Sequence, residues 1–197
     1  MELSGDIRLG DAVALVVIDA QVAFDDPRWG PRNNPACDAN IATLVAAFAD
    51  AGRPFVYVRH ESANPDSVFH ASNPGTALKP YLLDHTPDLV VTKTVHSSFH
   101  GDPDLSSWLH ARALRSVVIA GITTNHCCET TARVGENLGF IVWFALDATH
   151  TFDRVGPDGT CMTAEELAKA TATNLHDQFA TVVDTEQVLA ALHSQVG

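Results

Sequence analysis

An α/β fold, with helices on both faces of a parallel sheet, is what this sequence predicts, and three observations predict it. Six short apolar runs alternate with stretches of helical periodicity. The first run, residues 12–19, is apolar without interruption until Asp19, the pattern of a strand buried on both faces. The intervals between runs are long enough for the crossovers that parallel strands require.

The elements follow in order. After the first strand, Asp38 is placed to cap a helix that carries Ile41, Leu44, Val45 and Phe48 at spacings of three and four, and Gly52 stops it. Further strands are predicted over residues 55–58, 88–92, 116–120, 140–145 and 180–183. Between them, residues 105–114 and 127–138 have helical spacing. Thr163-Ala164-Glu165-Glu166 is a capping box opening a helix through residue 179, and Thr185 starts the last helix. In such sheets ligands gather beyond the carboxyl ends of the strands, where Asp19, His60, Lys93, Gly121 and Asp147 are expected. Two irregular stretches, residues 21–36 and 61–79, leave the same edge and are placed to roof a pocket.

Composition narrows the function classes. The chain has 197 residues, a formal charge of -12 and 46% hydrophobic residues, which suits a single domain over residues 1–197. No basic stripe is present, so no nucleic-acid partner is expected. No apolar stretch is long enough to span a membrane, and residues 1–6 lack the basic and apolar regions of a signal peptide, which makes a cytoplasmic location the expectation. Four cysteines (Cys37, Cys127, Cys128 and Cys161) are too few for a disulfide scaffold, and the adjacent pair is no C-x-x-C motif.

Three polar residues at strand ends form a chemical set. A cysteine nucleophile needs a lowered thiol pKa; Cys127, after Gly121-Ile122-Thr123-Thr124, is expected at a helix N-terminus near the Lys93 ammonium, both of which favour thiolate. Asp19 then serves as the proton acceptor and donor.

These residues resemble the isochorismatase-like cysteine hydrolases, and the resemblance spans nearly the whole chain. It rests on Asp19, Gln21 and Phe24 in D-x-Q-x-x-F, on Lys93 followed by Ser98-Phe99 and Leu105, on Gly121-Ile122-Thr123-Thr124-x-x-Cys127 with Thr131-Ala132, and on Asp147-Ala148. The resemblance implies an Asp19, Lys93, Cys127 triad, a cis peptide between Ile122 and Thr123, and an oxyanion hole made by the N–H groups of Thr123 and Cys127. It implies a Rossmann-like sheet of order 3-2-1-4-5-6, a small-molecule amide, carbamoyl or lactam substrate, no cofactor, and a homodimer or homotetramer. Residues 29–35, Thr124-Asn125-His126-Cys127 and Thr130-Thr131-Ala132-Arg133 are most similar to a bacterial subgroup that includes streptothricin hydrolase. The second strand ends Val58-Arg59-His60-Glu61, without the Asp-x-His by which nicotinamidases hold a metal; true isochorismatases, which cleave a vinyl ether, lack the cysteine. Cleavage of an ester or ether, or a noncatalytic redox-responsive role for Cys127 and Cys128, are the other classes.

The remaining candidates carry two readings each. Gln21 either hydrogen-bonds near the triad or satisfies a loop carbonyl. Phe24, Trp29 and Phe99 are pocket walls or core residues, Trp29 being the first choice for the pocket. His126 either orients substrate or bonds a neighbouring loop. Arg32, Asn33 and Asn34 either bind a polar substrate group or stabilise a turn. His96 and His100 have the spacing of two metal ligands on a helix, with His60 as a third, but they fall in an apparent loop and no metal is expected. Cys128 is expected in the core, and Cys37 and Cys161 as incidental thiols in or near loops.

Overall fold

A computed structural model describes residues 7–193. Residues 1–6, read above for targeting, lie outside the described residues. The elements are β1 (Val13–Ile18), α1 (Cys37–Asp50), β2 (Phe55–His60), β3 (Leu89–Lys93), α2 (Leu105–Ala111), β4 (Ser116–Ile122), α3 (Glu129–Asn137), β5 (Ile141–His150), β6 (Arg154–Val155), β7 (Cys161–Met162), α4 (Ala164–Leu175), β8 (Thr181–Val183) and α5 (Thr185–His193). The parallel sheet has the order β3-β2-β1-β4-β5-β8, and β6 and β7 pair as a small antiparallel hairpin. Counted over the sheet's own strands this is the 3-2-1-4-5-6 order that the resemblance implied.

The unbroken apolar character of β1 has a direct cause. Val13, Leu15 and Val17 face the layer of α1 and α5, packing with Ile41, Phe48 and Val188, while Ala14, Val16 and Ile18 face the opposite layer with Leu105, Leu109 and Leu175. Period-two alternation of direction, with helices on both faces, leaves no exposed position for a polar residue. Each such side chain contributes about 1.5–3 kcal/mol on full burial.

Several boundaries differ from the sequence expectation. Helix α1 begins at Cys37 with Ala36 at its cap, so Asp38 stands inside the first turn, where it pairs with Arg32 at 3.0 Å. Cys37 is therefore fully buried rather than a loop thiol. Gly52 follows the helix end with φ +62, as a left-handed stop. Helix α4 opens on the predicted Thr163 capping box but closes at Leu175, whose carbonyl accepts the N–H groups of Gln178, Phe179 and Ala180 as the chain turns into β8. Strand β5 runs on to His150 because its register shifts opposite β4: Ile119 faces Phe144, yet Gly121 faces Thr149. Asp147 consequently sits inside β5, in this irregularity, and not at a strand end. Its Oδ1 accepts from the Thr185 N–H (2.8 Å) and hydroxyl (2.9 Å), anchoring the first residue of α5 just beyond β8.

Candidate active site

The carboxyl edge is shaped by two unusual backbone positions. Asp19 turns the chain out of β1 at φ +49, a left-handed conformation that aspartate tolerates better than bulkier residues. Gly121 has φ +130, and a Cβ there would lie 2.0 Å from the Ile18 carbonyl oxygen, so only glycine lets β4 approach the end of β1. The following Ile122-Thr123 peptide is cis, as the resemblance implied.

These strand ends bring the three candidate residues together. Lys93, the last residue of β3, donates from Nζ to Asp19 Oδ2 at 2.6 Å and contacts Cys127 Sγ at 3.4 Å. Asp19 and Lys93 are each 1% exposed. The second carboxylate oxygen, Oδ1, is buried and has no hydrogen-bond partner among the described residues. Cys127 lies in a π turn, Thr124–Cys128, that precedes α3, and the Thr123 carbonyl accepts the Cys128 N–H at 3.3 Å. This wider turn replaces the expected α-helical N-terminus.

Opposing electrostatic influences act on the thiol. Burial pushes the Cys127 thiol up to about 12, the Asp19 carboxylate adds to the rise, and Lys93 opposes it only in part. Burial and the Asp19 charge thus work against a resting thiolate, and the Lys93 ammonium works for one. Burial pulls the Lys93 ammonium down, but Asp19 and Cys127 outweigh it and hold the amine protonated.

Cys127, Asp19 and Thr123 form the floor of a cavity of about 320 Å³. Phe24, Trp29, Phe69 and Phe152 form its apolar wall, with Trp29 stacked on Phe152 at 5.7 Å and Phe24 edge-on to Phe69 at 5.0 Å. The Trp29 indole is fixed by donation to the Ala23 carbonyl at 2.8 Å. Phe24 and Trp29 come from the first irregular stretch and Phe69 from the second, so both roof the pocket as predicted. His126 also lines it, and burial, followed by the nearby Arg154 charge, lowers its pKa.

Other candidates lie elsewhere. Gln21 is fully buried and does not line the cavity: its Nε2 donates to the carbonyls of His60 (3.1 Å) and Thr76 (2.9 Å), and its Oε1 accepts the His60 N–H (2.8 Å). It ties the end of β2 and the second loop to β1. Phe99 is a core residue stacked on Phe140 at 5.5 Å, since Gly135 of α3 leaves room for its ring. Arg32 pairs with Asp38. Asn34 donates to the carbonyls of Asp147 (2.6 Å) and Thr149 (2.7 Å), and Asn33 accepts the Thr151 N–H (2.8 Å), so the asparagines fasten their loop to β5. Cys128 is fully buried in the core and Cys161 is exposed on β7.

The sequence reading missed His96 as a neighbour of the thiol. Its Nδ1 lies 3.7 Å from Cys127 Sγ, while His100 takes no part in the cavity. His60 lines the cavity, and burial followed by the Lys93 charge lowers its pKa. Among the described residues, no group of three or more His, Cys, Asp and Glu side chains is placed to hold a metal ion. Phe152, Asp153, Arg154, Arg28 and Thr151 were also missed as lining residues. Only the Pro157-Asp158-Gly159 turn signal hinted that the chain after β5 folds back as a hairpin.

A parallel α/β sheet with a thiol, an amine and a carboxylate converging beneath a small apolar pocket is the architecture of a small-molecule hydrolase class. The chain belongs to the isochorismatase family of hydrolases: the family model described as the isochorismatase domain matches residues 13–187. It is 38% identical over 176 residues to the isochorismatase family protein YrdC of Bacillus subtilis, covering 89% of this chain and 94% of that one. It is 30% identical over 192 residues to Nicotinamidase 3 of Arabidopsis thaliana, covering 91% and 88%. A crystal structure assigned to the isochorismatase family, from Chromobacterium violaceum, superposes with a TM-score of 0.91 at 34% identity, covering 98% of this chain and all of that one.

Proposed function

We propose that the protein is an amidohydrolase that cleaves the C–N bond of a small amide, carbamoyl compound or cyclic lactam through a thioester on Cys127. The observation that carries this reading is the buried relay in which Lys93 Nζ touches both Asp19 Oδ2 and Cys127 Sγ at the floor of the cavity. The cavity volume lies at the low end for ligand pockets, which suits a small substrate. The family relative named a nicotinamidase supports amide chemistry.

In this mechanism Asp19 Oδ1, the oxygen without a partner, takes the thiol proton as sulfur attacks the carbonyl carbon. A high resting thiol pKa fits such a step, because charge is created only when substrate arrives. The tetrahedral oxyanion rests on the N–H groups of Thr123 and Cys127. The C–N bond then breaks and Asp19 gives its proton to the departing amine. Water attacks the thioester, its proton passing to Asp19; the C–S bond breaks, and Asp19 reprotonates the sulfur. Lys93 stays an ammonium throughout and steadies each anionic form. His96 approaches the sulfur from the pocket side, where an Nδ1–H stabilises developing thiolate.

The test is a panel of small amides, carbamoyl compounds and lactams, assayed for released ammonia or amine, with intact-mass detection of an acyl adduct. Wild type turns over at least one compound and Cys127→Ala turns over none. Wild-type release on that compound retained by Cys127→Ala defeats the reading.

A further inference from the structure

A charged cluster joins the segments that carry the aromatic wall. Lys79, at the end of the second irregular stretch, is 3% exposed, and its Nζ lies 2.7 Å from Asp25 Oδ1 and 3.3 Å from Asp38 Oδ1. Asp38 also accepts the Tyr81 hydroxyl at 3.0 Å and pairs with Arg32 at 3.0 Å. None of these side chains lines the cavity, yet each charged one stands on a different support of it. Asp25 follows the wall ring Phe24 in a short 3-10 turn. The Arg32 backbone forms an antiparallel bridge with that of the wall ring Phe152. Asp38 stands in the first turn of α1, which packs into the core through Ile41, Leu44 and Phe48. Lys79 itself is pinned beside the end of β1, its N–H donating to the Ala20 carbonyl at 2.9 Å.

From this arrangement, and resting on the reading of Cys127 as the nucleophile, we propose that Lys79 is a positioning residue: its two ion pairs hold the aromatic wall in the arrangement that accepts the apolar body of the substrate. The wall rings come from three separate connections, Phe24 and Trp29 from the first, Phe69 from the second and Phe152 from the one after β5, and they meet one another by apolar contact. Such contact has no preferred direction and lets segments slide. A buried ammonium does not, because it is stable only where its partners stand at hydrogen-bond distance. Lys79 reaches Asp25 and Asp38 together only when the first connection lies against the second and both lie on the start of α1. The ion pairs involve none of the floor residues. Loss of Lys79 therefore weakens the hold on an apolar body and leaves bond making at the sulfur as it is.

Two neutral alkylating probes of different size test this without a known substrate. Iodoacetamide and N-phenyliodoacetamide each form an S–C bond at Cys127 as the C–I bond breaks and iodide leaves, the thiol proton passing to solvent; only the second carries an aromatic body for the wall. Their rates at Cys127 are measured by peptide mapping at pH about 9, and the ratio is divided by that for 2-mercaptoethanol. Wild type is expected to prefer the aromatic probe by about tenfold over the reference, the effect of burying one ring. Lys79→Met is expected to bring the normalised ratio close to one while the iodoacetamide rate stays within about twofold, and Asp25→Ala, at an exposed side chain, to lower the ratio about threefold. Where Lys79→Met does not fold, Asp25→Ala decides alone. A wild-type ratio of one overturns the proposal. So does a ratio unchanged in the variants when only their urea midpoints fall, which makes Lys79 a stabilising ion pair and nothing more. Equal slowing of both probes also overturns it, since the floor and not the wall is then disturbed. Failure of both probes to modify Cys127 in wild type, with Cys161 modified normally, overturns the nucleophile reading itself.

Discussion

The sulfur of Cys127 lies between two nitrogens of opposite exposure: Lys93 Nζ reaches it from the buried side at 3.4 Å, and His96 Nδ1 from the exposed side at 3.7 Å. The buried contact links the thiol to Asp19. The exposed contact is with a ring nitrogen that moves no proton in the proposed cycle.

If His96 acts as a donor to thiolate, then a side chain with an N–H at the same place should replace it. The Asn amide nitrogen occupies the position of Nδ1, so His96→Asn is expected to hold kcat/KM within about threefold, whereas His96→Ala loses about 10- to 100-fold, the worth of one hydrogen bond to a charged group. Equal losses in the two variants count against the donor role.

The thiol's high pKa sets a distinct pH signature. Alkylation of Cys127 by iodoacetamide is expected to rise about tenfold per pH unit from neutrality upward, with no plateau below about 10, since burial and Asp19 hold the thiol near 12. Asp19→Asn removes one of the charges that raises the thiol, so it should speed alkylation at fixed pH while abolishing turnover. Lys93→Met should slow alkylation. A plateau near neutral pH in wild type refutes the neutral resting state.

Gln21 makes three hydrogen bonds that no apolar residue can replace. Gln21→Leu leaves the His60 N–H and two carbonyls without their partner, at a cost of about 2 kcal/mol or more. Urea denaturation should show the midpoint falling at unchanged slope. An unchanged midpoint means that water or a relaxed loop replaces the amide.

His150 provides a stability switch of known sign. It is fully buried, neither ring nitrogen has a partner among the described residues, and burial lowers its pKa from 6.5 to about 3. Between those values the unfolded chain binds a proton that the folded one does not, so stability is full above pH 6.5 and falls toward pH 3, by up to about 1.4 kcal/mol per unit. His150→Gln should flatten that part of the profile. Parallel wild-type and variant profiles, measured by urea midpoints across the window, would falsify the assignment.

The sheet and the position of the thiol were legible in the sequence because their causes are local. A strand covered on both faces must be apolar throughout, and the residues that end β1 and β3 necessarily meet at one edge once the order is known. The ends of elements were less so. Asp38 looks like a cap, yet the cap stands two residues earlier at Ala36, and Asp147 looks like a strand end because the shifted register that prolongs β5 leaves no mark in composition. The thiol's surroundings were legible only in part: a nearby ammonium is visible in the sequence, but the depth of burial that opposes it is not. His96 reaches the cavity through a loop and Arg154 through the β6–β7 hairpin, and Gln21, which the motif placed beside Asp19, spends its amide on the His60 and Thr76 backbone.

The floor and the wall of the cavity have separate structural origins. Asp19, Lys93 and Cys127 hang from the ends of β1, β3 and β4, whereas Phe24, Trp29, Phe69, Phe152 and Arg154 belong to connections beyond the sheet. Exchange of a connection therefore changes the shape of the wall without changing the residues of the buried floor. One inherited floor can in this way serve under many walls, and the β6–β7 hairpin, which leaves β5 and leads into α4, is one segment whose exchange would remake the wall.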